Sequence, residues 1–152
     1  MKFGSDSSFV LRLYLKGKET DLVQEFLEAD AKVIAISDLA RIEILNVLLR
    51  HEHRAEQFAA DLAEGLRLRL ESADWPAVFR QAESLARRFS AKLRPGGHDL
   101  VIVAAAVASA ATWFLSFDRH SRQRPLAAVA GLKVWPPLDK DEKGLVRFAR
   151  AV

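Results

Sequence analysis

DLVIVAAAVASAATWFLSFD, residues 99–118, carries the longest apolar stretch of the chain between two aspartates. A membrane span needs about 20 such residues. This run is shorter and rich in alanine, so it reads as a buried helix that runs into a buried strand, TWFLSF at 112–117. Asp99 opens the helix and Asp118 follows the strand. A helix feeding a strand is half of a crossover unit, and crossover units build parallel sheets.

The same alternation extends outward in both directions. Residues 2–6 form a candidate strand ending at Asp6, and the apolar residues 9–15 predict a helix that stops before Gly17. Thr20 is placed to cap a second helix reaching about Ala29. VIAIS at 33–37 is a β-branched strand, with Ser37 and Asp38 as caps for the helix that follows. From residue 39 to about 94 the pattern is helical, through IEILNVLL, AEQFAADLAEGLRLRL and, after a break at Asp74-Trp75-Pro76, PAVFRQAESLARRFSAKL. We read this as a long helical hairpin, ended by Pro95-Gly96-Gly97. Beyond Asp118, residues 119–130 predict a helix closed by Gly131, and LKVW at 132–135 a last strand stopped by Pro136-Pro137. The expected architecture is a three-layer α/β/α fold with a central parallel sheet and a helical hairpin arm. Residues 1–137 form one domain, and 138–152 a tail that docks as a short helix.

The 152 residues suffice for one core without disulfides or structural zinc. The chain has no cysteine, which removes thiol catalysis and thiolate metal sites and agrees with a reducing cytoplasm. Asp6 interrupts the N-terminus before a hydrophobic signal can build up, so neither export nor a membrane anchor is expected. The net charge of +3 hides an asymmetry: the first 75 residues carry ten Lys and Arg against fourteen Asp and Glu, the rest thirteen against six. A basic second half suits a polyanionic partner.

In doubly wound sheets, ligands bind beyond the carboxyl ends of the strands. Asp6 and Asp118 follow strands, and Asp99 stands at a helix start facing the same edge. Singly, each reads as a cap or turn residue. Together they repel one another unless a hard cation lies between them or their pKa values rise. Glu43, near the start of its helix, joins that edge. The histidines contribute less. His51 and His53 lie two apart, unlike the i, i+4 pair of a zinc helix, while His98 and His120 each neighbour a candidate acid. No nucleophile elbow, Walker loop or dinucleotide glycine fingerprint is present.

The ordered set Asp6-Ser7-Ser8, Ser37 with Glu43, Asp99-Leu-Val-Ile-Val-Ala-Ala, Ser116-Phe-Asp118 and Gly131-Leu-Lys-Val resembles the PIN-domain ribonucleases, most of all the VapC toxins of toxin–antitoxin pairs. The resemblance spans about residues 3–136. It implies that Asp6, Glu43, Asp99 and Asp118 ligate Mg²⁺ or Mn²⁺, with Ser7 and Ser116 positioning them. It also implies an RNA substrate cut to leave a 5′ phosphate, a small VapB-like antitoxin and a homodimer. Arg80, Arg87, Arg88, Lys92 and Arg94 on the basic arm, with Arg119, Arg122 and Arg124 after the last acid, are the candidate phosphate contacts. Two departures stand out: Gly4-Ser5 replaces the apolar residues common before the first acid, and Ile102 stands where relatives often have His.

Two other readings stay open: a catalytically inactive PIN-fold module binding protein or RNA, and a housekeeping RNA-processing nuclease. A phosphoacceptor receiver needs paired acids at the first strand and a lysine after the last; here Asp6 stands alone and Lys133 is inside a strand.

Overall fold

The computed structural model describes residues 1–29, 32–51 and 54–151. Five strands form one parallel sheet: β1 (Phe3–Ser5), β2 (Ile34–Ile36), β3 (Leu68–Leu70), β4 (Trp113–Leu115) and β5 (Lys133–Trp135), in the order β3-β2-β1-β4-β5. The helices are α1 (Ser7–Leu11), α2 (Thr20–Glu28), α3 (Asp38–Leu48), α4 (Arg54–Glu64), α5 (Trp75–Leu93), α6 (Gly97–Ala108), α7 (Gln123–Val129) and α8 (Lys140–Arg150).

The chain winds from β1 through β2 to β3, then returns to lay β4 on the other side of β1. β1 pairs with β2 through Phe3 opposite Ile34, and with β4 through Phe3 opposite Trp113 and Ser5 opposite Leu115. The reversal of strand order therefore falls between β1 and β4, the position at whose carboxyl edge such sheets place their ligand sites. Asp6 and Asp118 follow those two strands.

Short strands with every β1, β2 residue buried require cover on both faces. On one face Phe3 meets Phe26 of α2 edge-on, and Phe9 of α1 packs on Phe26, Phe117 and Trp135. On the other, α6 packs on α5 and α7. α6 comes unusually close to the sheet because Gly4 has no side chain: a Cβ there would stand 3.2 Å from the Ala106 Cβ. The replacement of an apolar residue by Gly4 thus has a packing cause. Among the described residues no helix is long and apolar enough to cross a membrane.

The structure redraws several boundaries. The helical stretch expected over 39–94 is divided: α4 ends at Glu64, Gly65 takes a left-handed φ of +70°, and residues 68–70 pair with β2 as an edge strand. In LRLRL, Leu68 is fully buried between arginines, which is the period of a strand, not of a helix. α1 stops at Leu11 rather than Leu15, with residues 12–15 in hydrogen-bonded turns. Thr20 is the first residue of α2, not its cap; its hydroxyl accepts the Gly17 N–H at 2.9 Å. Ser37 does cap α3, accepting the Ala40 N–H at 3.2 Å, and Asp74 caps α5. His51 lies beyond the end of α3, and His53 lies outside the described residues.

Candidate active site

Asp6 is the N-cap of α1 and is only 3% exposed. Its Oδ1 accepts the Phe9 N–H at 3.3 Å and the Ser8 hydroxyl at 2.7 Å, while Oδ2 accepts the Ser116 hydroxyl at 2.6 Å. Burial pushes the carboxyl up to about 6, and the negative charge of Asp118 adds to the rise; the two hydroxyls and the amide act the other way without cancelling it. A carboxylate that titrates near neutrality beside a second acid at a topological switch point is a physical marker of function.

Asp118 is held by its own turn. Its Oδ1 accepts the N–H groups of His120 and Ser121, both at 3.0 Å, and its N–H donates to Ser116 Oγ at 3.1 Å. That turn delays α7, which begins at Gln123 instead of residue 119. Ser116 therefore touches both acids. Asp99 occupies the third position of α6 and is 9% exposed; its Oδ2 accepts the Gly96 N–H at 2.9 Å. The helix starts two residues earlier than the sequence predicts, and Asp99 satisfies its first turn.

Glu43 reaches toward the same edge from α3. Ser7 donates to Glu43 Oε2 at 3.2 Å, and His98 Nε2 stands 3.1 Å from Oε1. That contact is close enough for an ion pair but lacks hydrogen-bond alignment, so Oε1 stays buried and without a hydrogen bond. Ser7 and Ser8 consequently divide the labour: Ser7 serves Glu43, and Ser8 serves Asp6. Ser8, which also accepts the Phe117 N–H at 2.9 Å, is the positioning hydroxyl that sequence reasoning passed over. Its signal was there, two residues after an aspartate at a helix start.

A divalent cation fits the chemistry of this edge. Its donors are oxygens, one carboxylate oxygen is buried without a hydrogen bond, and one acid is raised by burial and by its neighbour. No Lys or Arg pairs with any of the four acids among the described residues. The side chains do not converge on one point, however: among the described residues no three His, Asp or Glu groups stand where they could hold an ion together. Each acid is turned to a local donor. A separate crevice of about 270 Å³ between the sheet and α5–α6 is lined by Gly4, Ala35, Glu71, Ala77 and Ile102, and none of the four acids borders it.

The basic residues separate into two groups. Arg80, Arg88, Arg94 and Arg122 are exposed, Arg88 lying 4.7 Å over the Phe89 ring. Arg87 is paired with Glu83 at 2.7 Å, Lys92 donates to the Ala151 carbonyl beside the Phe148 ring, and Arg119 pairs with Asp139 at 3.0 Å. Arg124 is corrected outright: it is fully buried against Glu142 and reaches no solvent.

A parallel three-layer α/β/α sheet with Asp6 and Asp118 side by side at its central switch point defines an α/β protein with acids at the carboxyl ends of its strands. The PIN domain profile matches residues 5–126. The chain belongs to the PIN domain family. The fold is shared with VapC20 of Mycobacterium tuberculosis, described as a sarcin–ricin loop cleaving toxin (TM-score 0.63, 18% identity, 88% of this chain and 98% of that one). It is shared too with a toxin–antitoxin complex from Klebsiella pneumoniae (0.60, 14%, 80% and 89%) and with FitAcB from Neisseria gonorrhoeae (0.58, 15%, 87% and 95%). No curated protein sequence matches the chain.

Proposed function

We propose that this protein is a metal-dependent endoribonuclease, the VapC-like toxin of a toxin–antitoxin pair. The observation that carries the reading is Asp6: a buried carboxylate, pushed up to about 6, beside Asp118 at the carboxyl ends of the paired strands β1 and β4. In this reading Asp6, Glu43, Asp99 and Asp118 hold Mg²⁺ or Mn²⁺. A divalent ion held there would supply positive charge for a phosphodiester oxygen and lower the pKa of water, so that hydroxide is available as the nucleophile. The chain's own work is to orient: Ser8 and Ser116 hold Asp6, Ser7 holds Glu43, and the Asp118 turn presents its carboxylate. Arg80, Arg88 and Arg122 contact phosphates, with Arg87, Lys92 and Arg119 free to join them only by leaving their present partners.

The toxin–antitoxin neighbours support an antitoxin of the VapB kind as partner, and the same reading includes a homodimer acting in the cytoplasm. Residues 1–137 act as the nuclease unit, with α8 docked on it. The competing reading is a PIN-fold module that binds without cutting, favoured by the acids' engagement with local donors.

One assay decides between them. Purified protein should cleave single-stranded RNA in Mg²⁺ or Mn²⁺, EDTA should stop it, and Asp6→Asn and Asp99→Asn should each abolish it with the fold intact by circular dichroism. Cleavage that survives in both variants would rule the site out. RNA binding without cleavage by the wild type would favour the passive module.

A further inference from the structure

Arg124 is 0% exposed, and a buried guanidinium is an expensive group. Each nitrogen of its fork donates a hydrogen bond. Nε donates to Glu142 Oε1 at 2.8 Å and Nη2 to Oε2 at 3.2 Å; Nη1 donates to the Ser116 carbonyl at 2.6 Å; Nη2 also donates to the carbonyls of Pro136 and Pro137 at 2.8 and 3.1 Å. Ser116 follows β4 and Pro136 follows β5. Proline has no N–H, so the ladder between these strands cannot continue past Trp135, and Arg124 supplies the donors that tie the two strand ends together.

Buried ion pairs can often be replaced by apolar residues with little loss of stability, so stability alone is a weak reason for this one. Geometry is a better one. Ser116 is fixed at three points: its N–H donates to the Trp135 carbonyl at 3.1 Å, its carbonyl takes Arg124, and its hydroxyl lies between Asp6 Oδ2 and the Asp118 N–H. Only Arg has the planar fork that reaches carboxylate and carbonyls at once. Glu142, 7% exposed, is itself fixed as the third residue of α8, where it closes a capping box with Asp139. Arg119 adds a second cation beside it, 3.7 Å from Oε2.

We infer that Arg124, clamped by Glu142 of α8, is a positioning residue for the acidic site: it holds Ser116 so that one hydroxyl orients both Asp6 and Asp118. Helix α8, beyond the matched residues 5–126, is thereby part of the site's framework. The inference rests on the nuclease reading, and its test separates the two.

The variants are Arg124→Lys and Glu142→Gln, with Tyr14→Phe as a control. The control breaks the Tyr14–Asp61 bond of 2.5 Å, which involves none of the site residues. Amide hydrogen exchange in EDTA reads the Phe117 and Asp118 N–H groups, which bond to Ser8 Oγ and Ser116 Oγ. Mn²⁺ affinity is measured by calorimetry on the same full-length proteins. In at least one folded variant, exchange at Phe117 and Asp118 should accelerate about tenfold while the Asp6 amide keeps its protection. Mn²⁺ binding should weaken about tenfold, the usual cost of losing support behind a ligand. Tyr14→Phe should change neither. Unchanged exchange overturns the inference, and so does faster exchange with unchanged Mn²⁺ affinity. Wild type that binds no Mn²⁺ overturns the nuclease reading itself, and the positioning role falls with it.

Discussion

Ser116 Oγ lies 2.6 Å from Asp6 Oδ2, and that hydroxyl favours the charged form of a carboxylate that burial disfavours. Ser116→Ala should therefore move the Asp6 titration above its present position near 6, because a hydrogen bond to the ionised form is lost. The Asp118 N–H loses its acceptor as well. The expected destabilisation is about 1–3 kcal/mol, the cost of leaving such groups unpaired. Carboxyl-detected NMR titration in EDTA checks the first effect, and a midpoint that stays put or falls would count against it.

Asp6 also makes a prediction about pH and stability. Its folded pKa, about 6, lies above the ordinary 3.8. For a raised acid the stabilisation is complete below the lower value and is lost as pH rises through the higher one. At pH 8 the buried charge is a net cost, of order 3 kcal/mol for a shift of about two units. Asp6→Asn should thus be more stable than wild type in EDTA at pH 8, by about 1–3 kcal/mol, with the advantage gone at pH 4. Denaturant melts at the two pH values measure it. An Asn variant weaker than wild type at pH 8 would show that the hydroxyls around Asp6 already outweigh burial.

Much of this was legible in the sequence because it depends on local chemistry. Asp6, Asp99 and Asp118 follow strands or open helices, and a parallel sheet sends all such positions to one edge; the chain's order then brings β1 and β4 together. Ser37 announced its helix as a cap, and the break at Asp74-Trp75-Pro76 marked where α5 begins, though not that Asp74 caps it. What was not legible depends on tertiary contact. LRLRL alternates as a strand, but its leucines also continue the apolar pattern of α4, and only pairing with β2 decides between them. Arg124 looks like its exposed neighbours Arg119 and Arg122, since its burial is set by Glu142, eighteen residues on in a different helix. Ser8 and Ser7 differ by one position, and the helical turn at α1 determines which acid each one meets.

Gly4 should resist substitution for a reason of packing. A Cβ at Gly4 would come within 3.2 Å of the Ala106 Cβ and 3.4 Å of the Ala111 Cβ, closer than packed methyl groups settle. Neither partner is a flexible side chain. Gly4→Ala should destabilise by about 1–3 kcal/mol, as overpacked cores do, and Ala106→Gly should recover part of the loss when combined with it. Because α6 carries Asp99, the single variant should also weaken Mn²⁺ binding. Additive losses in the double variant would mean that the two residues do not meet.

The surface charges divide by whether they are already engaged. Each cation that neutralises a phosphate lowers the steepness of the salt dependence by about one unit when removed. Arg122 is exposed, follows Asp118 by four residues, and its side chain makes no hydrogen bond or ion pair among the described residues. Arg87 is held by two hydrogen bonds to Glu83 at 2.7 and 3.0 Å, so recruiting it to RNA costs that pair. On an Asp6→Asn background, which on the nuclease reading should bind without cutting, Arg122→Ala should weaken single-stranded RNA binding and reduce the slope of log K against log salt by about one. Arg87→Ala should do less than half as much. Fluorescence anisotropy across a salt series measures both. Equal effects at the two positions would mean that RNA strips Arg87 from Glu83 at negligible cost, and that engagement on the free protein does not govern which arginines bind.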